Sequence, residues 1–450
     1  MDIESLIAKY DRRVPRYTSY PTAPYFSDVV DGGVYAGWLG ALPDDTQLSL
    51  YLHVPFCAAL CLFCGCNTSV ARRAEPLISY ANTLIAEIDL VADAIGRRAA
   101  VRHIHWGGGT PTALPAELML AITERLRQRF DVLENAEIAV EVDPRTLSDQ
   151  SVRGMARMGV NRASLGVQDF DPAVQQAVKR IQSFETTADC AERLRGVGIN
   201  SINLDLIYGL PMQTTPGVAA TVAQAMRILP DRVAVFGYAH VPWMKRHQSL
   251  LPEDTLPGPA ERFSQRQAAA DAIVASGYRA IGLDHFARPD DSLARAAEAE
   301  RLRRNFQGYT TDDAPALVGL GASSIGGLPQ GYMQNATSVP QWRKAVQAGR
   351  LPIARGVGLT AEDRLRRDVI ERIMCKFAVD LDDVVASHGV TRADLASASA
   401  GLDELARDGL VQWDGRRVAV TEAGKPFVRA VAATFDAYHR PESMRHAATV

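Results

Sequence analysis

Leu48-Ser-Leu-Tyr-Leu-His-Val-Pro-Phe-Cys57-Ala-Ala-Leu-Cys61-Leu-Phe-Cys64-Gly-Cys66 joins two kinds of sequence at Pro55. The residues before the proline are mostly apolar and β-prone, which reads as a buried strand. The residues after it place four thiols within ten positions, on a loop. Reading outward, Leu48–Val54 is the first of seven similar runs, followed by Val101–Trp106, Glu137–Val142, Arg162–Val167, Ser201–Ile207, Val233–Ala239 and Ala280–Asp284. Helical patterns lie between them. Leu77, Ala81, Leu84, Ile88, Val91 and Ile95 recur at spacings of four and three, and Leu118, Ile122 and Leu126 share a second face. Repeated β-then-α units require parallel strands with helical crossovers. The expected fold class is α/β, a partial or complete parallel (β/α) barrel, with an open doubly wound sheet as the alternative. Both place the active site at the C-terminal ends of the strands, so the unusual residues are expected just after strands.

The barrel is expected over residues 47–350, after an N-terminal lid or strap over 1–46. Residues 351–450 read differently. Arg364–Phe377 and Leu402–Asp408 are helical, and Asp414-Gly415 marks a hairpin between two short β-runs. Helices followed by a wing predict a smaller, mostly helical, winged-helix-like domain. A DNA-binding role needs a basic excess, and Leu359–Val450 carries 13 Lys/Arg against 15 Asp/Glu. Packing or covering the substrate is the favoured role. The whole chain of 450 residues has a net charge of −3, so no partnership with nucleic acid is expected. The start of the chain lacks the pattern of a signal peptide, and no apolar run is long enough to span a membrane. Four of the six cysteines are clustered, which favours metal chemistry in a reducing compartment over a disulfide framework, and a cytoplasmic location is expected.

Three thiolates on one short loop can wrap an iron–sulfur cluster. Cys57, Cys61 and Cys64 are the expected ligands of a 4Fe-4S cluster. Three ligands leave one iron open to an amino and a carboxylate group, which S-adenosylmethionine offers. Tetrahedral zinc usually draws on two separated cysteine pairs, and no second pair exists. A redox CxxC of Cys61 and Cys64 would leave Cys57 and Cys66 unexplained. Cys66 stays open between a resting-state ligand and a thiol near the substrate.

The motif CxxxCxxC resembles the radical S-adenosylmethionine superfamily, and further text is more specific. Pro15–Thr22, His53–Cys57, Cys64-Gly-Cys66-Asn, His105-Trp-Gly-Gly-Gly-Thr-Pro-Thr112, Glu141-Val-Asp-Pro144, Gly166–Phe170, Asp205–Pro211, Asp284–Asp290 and Asn305–Thr310 resemble the oxygen-independent coproporphyrinogen III oxidase (dehydrogenase) family. The resemblance runs from about Arg13 into the C-terminal region. It implies a 5′-deoxyadenosyl radical that takes hydrogen from the propionates of coproporphyrinogen III. Two propionates become vinyl groups, giving protoporphyrinogen IX in haem biosynthesis. It also implies two S-adenosylmethionine molecules, an electron donor and an electron acceptor; a monomer is expected.

By this resemblance Tyr51, Gly108, Glu141 and Ile325 contact the cluster-bound cofactor. Phe63, Gly109, Thr110, Gln168, Arg180, Asp205 and Ala239 match the second cofactor site. Tyr51, His53 and Cys66 are the candidates for handling substrate or protons. Each residue also has a plainer reading. A glycine run is usually a turn, Glu141 a rim salt bridge, Arg180 an exposed helix-end charge and Ile325 core. His53 by default is a hydrogen-bonded core histidine, though strand alternation puts it on the face of Tyr51. His240 and His285 are weaker candidates. Arg16, Tyr17 and Tyr20 fit a lid over a pocket for an apolar ring with four carboxylates, and a packing strap equally. The rival functions are a haem-trafficking relative, a tetrapyrrole methyltransferase and a DNA-binding regulator. An aromatic residue is typical at the Cys66 position in the first of these.

Overall fold

The computed structural model describes residues Asp2–His439. Twelve strands form one sheet: β1 (Leu48–Val54), β2 (Ala100–Gly108), β3 (Asp131–Val142), β4 (Arg162–Gln168), β5 (Ser201–Tyr208), β6 (Arg232–Gly237), β7 (Arg279–Ile281), β8 (His285–Ala287), β9 (Ala316–Leu320), β10 (Ile325–Leu328), β11 (Gly331–Asn335) and β12 (Ile353–Gly358). Their order is β12-β11-β10-β9-β1-β2-β3-β4-β5-β6-β8-β7. The run from β9 through β6 is parallel throughout, and short antiparallel strands extend it at both ends. The two edges, β12 and β7, do not pair with each other, so the barrel is partial.

Alternation along the strands fixes which side is core. Ala163, Leu165 and Val167 of β4 and Ile202, Leu204 and Leu206 of β5 are buried against helices. The intervening Ser164, Gly166, Asn203 and Asp205 face the concave side, since successive side chains of a strand point to opposite faces. The concave face is therefore polar, and ion pairs line its N-terminal floor. Arg162 meets Glu137 at 3.0 Å and Arg232 meets Asp291 at 2.8 Å. Outside, the expected helices form as α2 (Ala74–Ile95) and α3 (Ala116–Arg129). The stripe Leu77, Ala81, Leu84, Ile88, Val91 and Ile95 of α2 is buried, and Gly96 ends the helix at φ 75°, where a residue without Cβ is favoured.

Six of the seven expected strands are in the parallel run. The seventh, Ala280–Asp284, is instead the short edge strand β7, antiparallel to β8. Only Gly282–Asp284 separate these two strands, and so short a link permits a hairpin but no crossover. The sheet also runs past residue 350, because β12 pairs with β11. The C-terminal unit begins with α4 (Ala361–Lys376), whose Thr360 and Asp363 form a capping box. Strands Ala378–Asp380, Val411–Trp413 and Arg417–Val420 form its three-stranded wing. Its core includes the N-terminal segment: Leu6, Ile7 and Tyr10 of α1 (Ile3–Tyr10), with Tyr17 and Tyr20, pack on Leu365, Val369 and Phe427. The first residues are thus built into the far end of the chain. Met1 and Arg440–Val450 of the expected segments lie outside the described residues.

Candidate active site

The loop after β1 closes one side of a cavity of ≈ 530 Å³ at the C-terminal ends of β1–β6. The cavity unites Cys57, Cys61, Phe63, Cys64 and Cys66 with Gly108, Gly109, Thr110, Glu141, Gln168, Arg180, Asp205 and Ala239. Tyr51, His53 and Ile325 lie outside its lining. The loop is held in place by backbone contacts: Leu62 N–H donates to Val178 O at 3.0 Å and Ala71 N–H to Cys57 O at 3.1 Å. From the other side, Lys245 Nζ donates to Cys66 O at 2.8 Å, His247 Nε2 to Cys64 O at 2.8 Å, and Gln248 Nε2 to Phe63 O at 2.9 Å.

The sulfurs sit among donors. Arg145 Nη2 and Arg180 Nη1 each lie 3.6 Å from Cys61 Sγ, while Thr68 and Thr110 approach Cys57 Sγ at 3.1 and 3.6 Å. A hydrogen bond from Cys66 lowers Cys64, favouring the thiolate that metals require, and the same bond keeps the proton on Cys66. Burial raises Cys57, against its two threonine donors. Among the described residues no three or more such side chains converge on a single metal ion. A four-iron cluster spreads its ligands further apart than one ion does. Thiols beside two guanidinium groups fit an anionic cluster, and the buried Arg180 Nε, unpaired on the cavity wall, is a donor left for a ligand.

The glycine run after β2 is shaped by close neighbours. A Cβ at Gly107 would come 2.6 Å from Glu141 Oε1, and one at Gly109 2.6 Å from Phe56 O. Gly108 has φ 112°, and its Cβ would meet the His53 ring at 2.7 Å. Glu141 accepts from Gly108 N–H at 3.2 Å and pairs with His105 Nε2 at 3.1 Å. His53 Nε2 faces Asn67 O at 3.0 Å, and that oxygen can only accept; Nε2 therefore carries the proton and Nδ1 accepts from Tyr51 O–H at 3.0 Å. Burial holds His53 below its ordinary value. It braces the glycine run and the end of the thiol loop from behind the cavity.

Gln168 ends β4 at φ 72°, beside a register shift that turns its side chain into the cavity. Arg180 is 7% exposed, so it is no surface charge. Its fork meets Asp143 at 3.3 and 3.4 Å and Gly166 O at 2.6 Å. Burial alone would raise Asp143, but the Arg145 hydrogen bonds and the Arg180 charge outweigh it and hold it low. Burial pushes Asp205 up to about 6, against hydrogen bonds from Ser164 at 2.8 Å and Asn203 at 2.9 Å. Ile325 opens β10, its backbone close to Gly319, the partner of Tyr51 across the sheet. His240 bonds Tyr238 O–H and Glu253, and His285 bonds Asp284; both are engaged by neighbours. Sequence reasoning missed Asp143 and Arg145, although both follow the β3 end directly, where the strand rule points. It also missed Lys245, His247 and Gln248, whose segment shows no periodic signal.

A thiol loop after the first strand of an open parallel sheet, over a polar cavity at the strand ends, places this chain among radical S-adenosylmethionine proteins. The Radical SAM superfamily model matches residues 51–224, and the HemN C-terminal domain model matches residues 359–427. The chain is 52% identical to the oxygen-independent coproporphyrinogen III oxidase of Bradyrhizobium diazoefficiens over 98% of each chain. It is 44% identical to that of Paracoccus denitrificans, over 98% of this chain and 97% of the other. Coproporphyrinogen III oxidase (HemN) from Escherichia coli, described as a radical SAM enzyme, superposes with a TM-score of 0.91 at 38% identity, covering 98% of this chain and 100% of that one. This chain belongs to the oxygen-independent coproporphyrinogen III oxidase family. It is an oxidoreductase of the radical SAM type, which uses a 4Fe-4S cluster and S-adenosylmethionine. Among the described residues no helix is long and apolar enough to cross a membrane.

Proposed function

We propose that this enzyme converts two propionate side chains of coproporphyrinogen III to vinyl groups without oxygen, giving protoporphyrinogen IX in haem biosynthesis. The observation that carries the reading is the single cavity uniting the three-thiol loop with the glycine run, Glu141, Gln168, Arg180 and Asp205. When bound, the cluster and S-adenosylmethionine supply a carbon radical that takes one hydrogen atom from the propionate β-carbon; carbon dioxide and one electron then leave. Cys57, Cys61 and Cys64 hold the cluster in this reading. Tyr51, Gly108, Glu141 and Ile325 serve the first cofactor molecule. Phe63, Gly109, Thr110, Gln168, Arg180, Asp205 and Ala239 serve a second. The acidic Glu141 and Asp205 suit the amino and ribose groups of such a ligand, and the unspent Arg180 Nε suits its carboxylate.

Of the three residues assigned to substrate and proton handling, Cys66 reaches the cavity, whereas Tyr51 and His53 act from behind it. The chain works as a monomer in the cytoplasm with an external one-electron donor and an electron acceptor, and without nucleic acid or membrane. Anaerobic reconstitution followed by incubation with coproporphyrinogen III, S-adenosylmethionine and reductant tests the proposal. The product should lose two formic-acid equivalents of mass while 5′-deoxyadenosine accumulates. Absence of vinyl product, with stoichiometric and persistent haem binding, would replace the enzyme with a carrier.

A further inference from the structure

The strap Val14–Tyr17 passes the cavity mouth and is held there by its backbone. The buried Arg429 donates through Nε to Pro15 O at 3.0 Å and through Nη2 to Val14 O. Arg304 donates to Arg16 O through Nη2 at 3.2 Å and Nε at 3.4 Å. Tyr17, at φ 48°, turns into the C-terminal core, where its O–H donates to Asp436 at 3.0 Å. Arg16, between these anchors, lines the cavity with an exposed side chain. Its Nη2 donates to Gly237 O, at the end of β6, at 3.1 Å, and it forms no ion pair among the described residues.

Three guanidinium groups gather along the strap. Burial, together with the charges of Arg16 and Arg304, pushes Arg429 down to about 10. One buried carboxylate, Asp284, feels Arg304 and Arg16, and it already bonds His285 Nδ1 at 2.7 Å. Arg304 Nη1 is buried and has no hydrogen-bond partner. Arg16, which lines the cavity and pairs with no carboxylate among the described residues, is the cation here that favours a further anion.

We infer that Arg16 binds the carboxylate of a propionate that is not being decarboxylated, with Arg304 and Arg429 positioning it through the strap. The inference rests on the proposed reaction, whose substrate bears four carboxylates on an apolar ring. A planar guanidinium can take a carboxylate through two parallel hydrogen bonds. The reacting carboxylate departs as neutral carbon dioxide, so a cation gripping it would stabilise the starting state more than the transition state. Arg16 hangs from the end of β6 and the thiols follow β1, at opposite ends of the β1–β6 run.

The test compares reconstituted full-length wild type, R16Q and R16K in coproporphyrinogen III turnover. Binding of the unreactive coproporphyrin III is followed by fluorescence at low and high salt. Loss of one charged hydrogen-bond pair predicts that R16Q raises KM and Kd roughly 10- to 100-fold, with kcat changed far less. R16K falls between, because it keeps the charge and loses the fork. The salt dependence of Kd flattens in R16Q, whereas iron content and affinity for S-adenosylmethionine stay at wild-type values. Wild-type KM and salt dependence in R16Q would overturn the assignment, as would a fall in kcat alone. If R16Q does not fold, R16K decides by the same KM criterion. A wild-type enzyme that makes no vinyl product sinks the proposed reaction instead, and coproporphyrin III binding still decides Arg16.

Discussion

Replacing Glu87 by Gln is expected to flatten a pH dependence of stability. Glu87 lies on α2, 1% exposed. Its carboxylate accepts from Gly321 N–H at 2.7 Å, Trp342 Nε1 at 3.0 Å and Asn335 Nδ2 at 2.5 Å. Burial raises it from the ordinary 4.5 to about 7, although all three donors pull the other way. A group with a raised folded value stabilises the fold fully below its unfolded value, and that contribution is lost as pH rises through the folded one. Stability should therefore decline between pH 4.5 and about 7. The difference of the two values, at 1.36 kcal/mol per unit, amounts to about 3 kcal/mol. Gln cannot titrate, and its amide N–H₂ would meet donors, so E87Q should be less stable at neutral pH by about 1–3 kcal/mol. Anaerobic urea unfolding of both proteins from pH 5 to 8 measures this, and their stability gap should narrow as pH rises. A gap independent of pH would refute the reasoning. Gly321 leads toward Ile325, so E87Q should also weaken binding of S-adenosylmethionine.

Serine at Cys57, Cys61 or Cys64 should abolish both iron–sulfur absorbance and vinyl formation. Cys190→Ala should keep both, because that thiol is buried on the helix Phe184–Gly196, away from the cavity. Gly109→Ala places a Cβ 2.6 Å from both Phe56 O and Thr68 Oγ1. Turnover should fall at least tenfold, about 1.4 kcal/mol in barrier, while iron content is retained. Leu6→Ala removes a side chain 5% exposed in the C-terminal core, and chemical unfolding of that unit should show a loss of about 2–5 kcal/mol.

The parallel sheet was legible because strand and helix periods alternate clearly from Leu48 to Gly237. The misreading of Ala280–Asp284 arose because β-propensity does not reveal pairing direction; the three-residue link that decides it reads as part of the run. Most of the site was legible through the rule that function follows strand ends: Cys57, Gly108 and Gln168 obey it. Arg180 looked exposed because only the fold brings Asp143 and Cys61 to it. The segment around Lys245 was silent for the same reason, since its bonds to Cys64 and Cys66 span about 180 residues and leave no local pattern. The N-terminal strap was half legible. Its aromatic residues read equally as lid or packing, and Tyr17 and Tyr20 turn out to be core while Arg16 is not.

A polar concave face costs stability that an apolar filling would return, so its charges need a reason. At the floor they cancel, Arg162 with Glu137 and Arg232 with Asp291. Higher up, Asp143 is matched by Arg145 and Arg180, while Arg16 forms no ion pair among the described residues. Glu141 and Asp205 put carboxylates on the cavity wall, and Arg16 puts a guanidinium there. S-adenosylmethionine carries a sulfonium and an amino group, and coproporphyrinogen III is a tetracarboxylate. The two ligands of the proposed reaction thus find side chains of opposite charge in one cavity. Exchanging Glu141 for Gln should weaken the cofactor and spare the porphyrin, while Arg16→Gln should do the reverse. That reciprocity, measured as two dissociation constants per variant, separates an ordered electrostatic division from a generally polar pocket.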